Sequence, residues 1–470
     1  MKIKQTETLK NYIPIVKNQK LLSYILFFLV TFTYKGLMVL IAIPLFFLIK
    51  KTNKKNIKEI LYVFGFYSIT RILFSMVLGN VSMQTQGLRM LLGVNFLLIF
   101  LSKKTIKDLF LDFKNLIKNE PILLYIFIII FIGSLWNIFS SGGIKSGISY
   151  FKNMQIFLLC LLGIPYKKLW NKLSKLFYVT IILSTIFSTI EISMLLNNNR
   201  IVEVCANGKT LSLTVGIISY SYLFIQLLLS KKRSVKLVSL LCILMWGWII
   251  LISGARGSAI ALLVSSITSI ILIYKKKSLL CLSAIFVFLF FIMSSDNSLS
   301  SRFKYLLDGN IKNNTSYGRI ALIKAGIYTF QNNIIFGSGY DNTQKYFIEY
   351  KNKYYSDETN NSPLYKMNQI ELENFPDSHN IIIDYLAISG IFGIFLSLFF
   401  ILYVPVISLK NYIKDHYIEG LRCFVSFLSF SVGGMTWSIL TRHTKGISFL
   451  VILLLLLIYR RNNVRGNERS

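Results

Sequence analysis

The sequence predicts an all-α, polytopic integral membrane protein, with about fourteen spanning helices and one large extracytoplasmic loop. Three observations predict this. Hydrophobic residues make up 54% of the 470-residue chain and charged residues only 15%, where a soluble domain carries roughly 25% charged residues. The apolar residues gather in runs long enough to cross a bilayer. The basic residues fall in short clusters between those runs. Lys plus Arg number 52 and Asp plus Glu 20, a net charge of +32. A charge of that size would also suit a nucleic-acid binder. Its distribution between long apolar runs excludes that reading and fits the positive-inside rule, so no nucleic-acid partner is expected.

A spanning helix needs about 17–20 predominantly apolar residues. The spans read at 20–34, 36–50, 58–79, 87–102, 120–139, 149–165, 174–195, 210–229, 237–252, 258–274, 278–293, 381–407, 420–440 and 446–459. The first run is followed by more of the same kind, so no cleavable signal peptide is expected. Arg71, inside span 58–79, must face the protein interior or a wet cavity. With the N-terminus in the cytoplasm, the inner segments collect clusters such as Lys50, Lys51, Lys54 and Lys55, then Lys231, Lys232 and Arg233, and finally Arg460 and Arg461. The outer loops hold scattered cations, among them Lys35, Lys145, Arg200, Arg256 and Arg442. An even number of spans then puts both termini in the cytoplasm. The chain divides into residues 1–293 with helices 1–11, a large outer loop at 294–380, and residues 381–470 with helices 12–14 and a basic cytoplasmic tail.

The outer loop is polar but not of low complexity. Thr315 and Ser316 can cap a helix. Ile320, Ile323, Ile327 and Phe330 then recur at helical spacing, and Gly337-Ser338-Gly339 ends the pattern. This predicts a short amphipathic helix near the outer membrane surface. No internal repeat is evident. The five cysteines lie far apart with no CxxC pair or Cys/His cluster, which predicts neither a structural disulfide nor a zinc site.

The chemistry available is narrow. Of the three histidines, His416 falls in an inner loop and His443 in a short outer one. His379 ends the large loop, in Pro376-Asp377-Ser378-His379-Asn380, where a span begins. A lone histidine there is most simply a capping or interfacial residue. A helix N-terminus, however, disfavours imidazolium, and a neutral imidazole at the outer face can take a proton from a hydroxyl. Ser253-Gly254-Ala255-Arg256-Gly257-Ser258 joins two apolar runs with almost no loop. The plain interpretation is a tight hairpin whose Arg256 snorkels to the headgroups; small residues on both sides also let a ligand approach a guanidinium suited to bidentate phosphate binding. Arg319 opens the predicted loop helix and is the better placed of the loop arginines, Arg302 the weaker. For each, a solvated loop charge is the plain alternative. No P-loop, GxGxxG, HExxH or GxSxG sequence occurs. No DxD pair suggests a metal-bound sugar nucleotide, so no cofactor or metal is expected, and an enzyme of this kind would use an activated donor carried in the membrane.

These residues resemble the O-antigen ligase and O-antigen polymerase superfamily of bacterial surface-polysaccharide enzymes. Ser253–Ser258 is similar to the family's S-x-(S/A)-R-G segment. Arg319 with Asn333-Ile334-Ile335-Phe336-Gly337-Ser338-Gly339 resembles its arginine, helix and N-P-(L/I)-x-G-x-G stretch, with Ile334 where proline is common. His379-Asn380-Ile381, with Gly390 and Gly393 downstream, resembles its H-N-x-x-L…G-x-x-G element. The resemblance covers residues 253–393. It implies a fold related to the GT-C-like glycosyltransferases with lipid-linked donors, and a location in the bacterial plasma membrane. It implies a donor oligosaccharide on undecaprenyl pyrophosphate, Arg256 and Arg319 on the pyrophosphate, and His379 as general base, with Arg302, Arg442 and Asn380 as further candidates. A flippase and a chain-length regulator are its implied pathway partners.

Polymerase and ligase share this chemistry and differ in acceptor. Heavy use of Ile, Lys and Asn, as in AT-rich genomes whose bacteria often have a single membrane, tilts the reading toward a capsule or exopolysaccharide polymerase. A flippase of the same lipid-linked units is the rival from another class. Paired repeats and charges near the bilayer midplane would be expected of it, whereas the charges singled out, apart from Arg71, lie at the outer surface. Tyrosines of the loop, Tyr340, Tyr346, Tyr350, Tyr354 and Tyr355, could stack on sugar rings or anchor at the interface.

Overall fold

The computed structural model describes residues 167–275, 316–339, 342–357, 362–375 and 377–435, together with Leu111, Lys114, Ile132, Leu135 and Ser278. The spans read from sequence at 20–34, 36–50, 58–79, 87–102, 149–165, 278–293 and 446–459 lie outside these residues, as does nearly all of 120–139. Arg71, Arg302, Arg442 and His443 lie outside them too. The chain divides into two compact units, one of Met1–Leu116 and Leu158–Leu176, the other of Ile117–Phe157 and Phe177–Ser470. The interactions below all belong to the second.

The described elements are helical. In chain order they are α1 (Lys167–Asn197), α2 (Ile201–Leu211), α3 (Ile217–Leu229), α4 (Arg233–Ser253), α5 (Arg256–Tyr274), α6 (Ser316–Asn332), α7 (Thr343–Tyr354), α8 (Pro363–Asn374), α9 (Ile381–Ser389), α10 (Ile391–Leu398), α11 (Val404–Asp415) and α12 (Ile418–Gly434). Two π-helical stretches, Ser212–Gly216 and Phe399–Tyr403, carry α2 into α3 and α10 into α11 without a break. The second lies just before Pro405. Proline has no N–H to donate to the preceding turn, and a wider turn there accommodates the loss.

Five described segments are long and apolar enough to cross a membrane: Phe177–Asn197, Ile201–Leu229, Arg233–Ser253, Arg256–Tyr274 and Ile391–Lys414. Four match spans read from sequence to within a few residues, except that 210–229 begins earlier, at Ile201. The expected single span at 381–407 is different. The chain breaks at Gly390 (φ 61°, ψ −145°), and the long apolar helix starts at Ile391. A Cβ at Gly390 would lie 2.5 Å from the backbone of Ile334 and Ile335, and the Ile391 N–H donates to the Ile334 carbonyl at 2.9 Å. The turn at Ile334 and Ile335 is therefore wedged where a continuous helix would run. An unbroken hydropathy signal hides this, because it registers apolarity and not φ.

The spanning helices are joined by small residues and polar stitches, as expected where hydrophobic burial does not drive helix association. A Cβ on Gly216 would fall 2.7 Å from the ring of Trp246 in α4, and the Trp246 indole donates to Thr185 of α1 at 2.9 Å. Ser221 of α3 shares a hydrogen bond of 2.5 Å with Ser429 of α12. Arg422 of α12 donates to Gln226 of α3 and to Glu419 at 2.5 Å, and stacks over the Tyr222 ring at 5.0 Å. At the far end of α5, Leu272 and Ile273 pack against Ile225, Leu421 and Val425. Helices α5 and α12 thus run antiparallel, so Arg256 and Gly434 lie toward the same end of the bundle.

The loop residues form a small helical unit of their own. Its core is Ala321, Leu322 and Ala325 of α6, Phe347 and Tyr350 of α7, and Leu372 of α8. The predicted amphipathic helix is α6, but its packed face is not the isoleucine stripe. Ile320 and Ile327 are exposed, whereas Gly318, Ala321, Ala325, Gly326 and Thr329 are buried. Small residues let neighbouring helices approach closely: a Cβ on Gly326 would lie 2.5 Å from Ile383 of α9. Side-chain size misled the periodicity argument, because the close-packed face is the face with least side chain.

Candidate functional site

The last turn of the loop before α9 positions His379. Ser378 is fixed first: the Asp384 carboxylate accepts its N–H at 2.6 Å and its hydroxyl at 2.7 Å. Asn380 then caps α9, its side-chain oxygen accepting from the N–H groups of Ile382 and Ile383 at 3.0 and 3.2 Å. Between these two anchored residues His379 takes a left-handed conformation, φ 53°. A non-glycine residue held there is strained, and such strain gathers at functional sites. The ring is buried, with 7% exposure. Its Nδ1 pairs with the Asp377 carboxylate, which also accepts the His379 N–H at 3.2 Å. The Phe375 ring stands against it at 4.9 Å, nearly perpendicular.

Arg319 sits in the first turn of α6, next to Gly318. A Cβ on Gly318 would lie 2.6 Å from Cγ of Glu371, so the Glu371 side chain of α8 lies flat across that glycine. Glu371 is the link between the two expected site residues. Burial raises its carboxyl above the ordinary range, while His379 and Arg319 both act to lower it. One half-buried carboxylate thus interacts electrostatically with both the imidazole and the guanidinium.

Arg256 stands on a separate element. Helix α4 ends at Gly254 in the left-handed conformation (φ 61°), and α5 begins two residues later at Arg256. This is the tight corner the sequence predicts. The corner is held from α2 and the π-helical stretch: a Cβ on Gly208 would lie 2.6 Å from Cβ of Ser253, and Ser212 shares a 2.9 Å hydrogen bond with Ser258. At the same end of the bundle, Gly434 of α12 lies against Ile381, the first residue of α9.

The other candidates fare differently. Asn380 is engaged as the helix cap and donates to Met435 Sδ at 3.8 Å. Arg302 and Arg442 lie outside the described residues, as does Tyr340. Tyr350 belongs to the loop core, where burial pushes its phenol up to about 12. Tyr346 donates to Asn333 at 3.2 Å, and Tyr354 is exposed. Asp377 and Glu371 stand in the sequence as two loop carboxylates among several. The Asp-x-His spacing was a usable signal for Asp377; nothing in the sequence marks Glu371, which reaches the site only by the packing of α8 on α6.

Together these features give, among the described residues, a helical protein with five segments able to cross a membrane, in which Asp377 pairs with His379 and Glu371 interacts electrostatically with His379 and Arg319. Residues 240–398 match the family model described as O-Antigen ligase, a stretch that contains Arg256, Arg319, Glu371, Asp377 and His379. The match supports assignment of the chain to the O-antigen ligase and polymerase superfamily, whose members are glycosyltransferase-like, and with the apolar helices it supports a membrane protein of polysaccharide biosynthesis. No curated protein matches the chain.

Proposed function

We propose that the protein polymerises surface polysaccharide at the outer face of the plasma membrane. It transfers a glycan from undecaprenyl pyrophosphate to a sugar hydroxyl of another repeat unit. His379 takes the hydroxyl proton as the oxygen attacks the anomeric carbon. The carbon–oxygen bond to the pyrophosphate breaks, and the pyrophosphate leaves with the electron pair. Arg256 and Arg319 hold the growing negative charge, so the reaction as proposed needs no metal ion. The observation that supports this reading is the packing of α6: Gly318, beside Arg319, lies under the Glu371 side chain, and Gly326 of the same helix lies against Ser378, beside His379, while Arg319 and His379 both act to lower the Glu371 carboxyl.

The description of the matching family favours a second reading, in which the finished chain is transferred to an anchor by a ligase. The glycan of a deletion strain separates these. Single-repeat material is the expected result. Unattached long chains would replace the polymerase by a ligase, and lipid-linked units trapped in the cytoplasm would replace both by a flippase. His379→Ala in the same strain is expected to leave the protein in the membrane and lower polymer formation by about 10²–10⁴, the usual contribution of a general base.

A further inference from the structure

The Asp377–His379 pair has a geometry that capping does not require. Asn380 already supplies the cap of α9, and Asp384 already holds Ser378. Asp377 is nonetheless buried, with 4% exposure, and its Oδ1 accepts from the backbone of His379 while pairing with the ring through Nδ1. A buried carboxylate is costly unless its oxygens are used. Here one oxygen is spent on a ring two residues away, in a backbone conformation that is itself unfavourable.

We infer that Asp377 is a positioning residue for His379, holding the proton on Nδ1 so that Nε2 is the basic nitrogen offered to the acceptor hydroxyl. A neutral imidazole has one donor and one acceptor nitrogen, and the partner of one decides the role of the other. A carboxylate can only accept, so opposite Nδ1 it selects the tautomer protonated there. Phe375 against the ring limits its rotation about the Cβ–Cγ bond, and the bond from the His379 N–H to the same carboxylate ties ring and backbone together. Among the described charged groups, Glu371 of α8 interacts electrostatically with His379 and, separately, with Arg319 of α6; Asp384 of α9 is engaged with Ser378. The inference rests on the general-base role proposed for His379, and it adds the residue that makes the role stereochemically definite.

The chain has three histidines, few enough for nitrogen-15 NMR of the full-length, histidine-labelled protein in nanodiscs, with the His379 signals assigned by their loss in His379→Gln. The wild type is expected to show the Nδ1–H tautomer in its neutral form. Asp377→Ala is expected to shift His379 toward Nε2–H, and to lose long polymer in cells while accumulating in the membrane at wild-type level. Should Asp377→Ala fail to accumulate, Asp377→Asn carries the same test, because an amide presents either a donor or an acceptor and no longer dictates one tautomer. A wild-type His379 found as Nε2–H, or a tautomer unchanged in the variant, would overturn the inference. Full polymer in Asp377→Ala with none in His379→Ala would overturn this inference alone, whereas full polymer in both would overturn the reading of His379 on which it rests.

Discussion

The Asp384 carboxylate accepts two hydrogen bonds from Ser378, one from the backbone N–H at 2.6 Å and one from the hydroxyl at 2.7 Å. Asp384 lies in the first turn of α9 and is 1% exposed. It therefore ties the residue before His379 to the helix that follows it. The left-handed turn at His379 is held from both sides by side chains of α9 and its cap, and not by the ring's own contacts alone.

Asp384→Ala should accordingly loosen His379 without touching it. A misplacement of about 1 Å can cost about 10²-fold in rate. The expected outcome is a polymer ladder shortened or lost at normal protein level, with partial recovery in Asp384→Asn, which keeps one acceptor. A wild-type ladder in Asp384→Ala would show that the turn is held without this carboxylate.

The two arginines can be tested by charge-conserving change. A lysine ammonium is a point charge that cannot make the paired hydrogen bonds of a guanidinium. Arg256→Lys and Arg319→Lys are each expected to lower polymer formation by about 10²–10³, the usual loss on removing one preorganised donor. Full activity in Arg256→Lys would mean that this side chain only reaches toward headgroups from its corner.

Glu371 makes a pH prediction. Burial raises its carboxyl above the ordinary range, so the native protein binds this proton more tightly than the unfolded chain does. The stability linked to it is fully present below the ordinary carboxylate range and is lost as pH rises through the raised native value. Glu371→Gln stays neutral throughout. Its thermal melting in detergent should fall less than that of the wild type over that window. An unchanged slope would remove burial as the governing influence on this carboxyl.

Glycine positions should separate sharply. Gly337 has φ 72°, and a Cβ there would collide with the backbone of Ile388 and Ser389. Its neighbours Ser338 and Gly339 donate backbone N–H groups to Ala387 and Ile388 at 2.8 and 3.0 Å. Gly337→Ala is expected to break this docking and reduce the yield of folded protein. At Gly247 in α4 a Cβ would meet nothing within 4 Å, so Gly247→Ala should be tolerated, with a gain of about 0.5–1 kcal/mol in helix propensity. Similar losses at both sites would contradict the packing described.

Much of the described fold was legible in the sequence because membrane spans are written in composition. Long apolar runs between lysine clusters located Phe177–Asn197, Arg233–Ser253 and Arg256–Tyr274 to within a few residues. The corner at Gly254 and Ala255 was legible because glycine marks a left-handed stop. The break at Gly390 was not, because isoleucine, leucine and phenylalanine continue across it. Of the candidate site, His379 and Arg319 stood out by position and charge. Their connection did not, since it runs through Glu371, which only the packing of α8 over Gly318 brings near. The packed face of α6 was missed for the same reason: it is defined by what glycine and alanine leave out.

The break at Gly390 also separates two mechanical tasks. A rod continuous from Ile381 to Tyr403 would make the height of His379 follow every tilt with which a long helix answers a thinner or thicker bilayer. With the rod interrupted, the apolar helix from Ile391 to Lys414 can lean to suit its lipid surroundings, while α9, held at Ala387 and Ile388 by the backbone N–H groups of Ser338 and Gly339, keeps its own bearing. Lipid composition is thereby buffered before it reaches the imidazole.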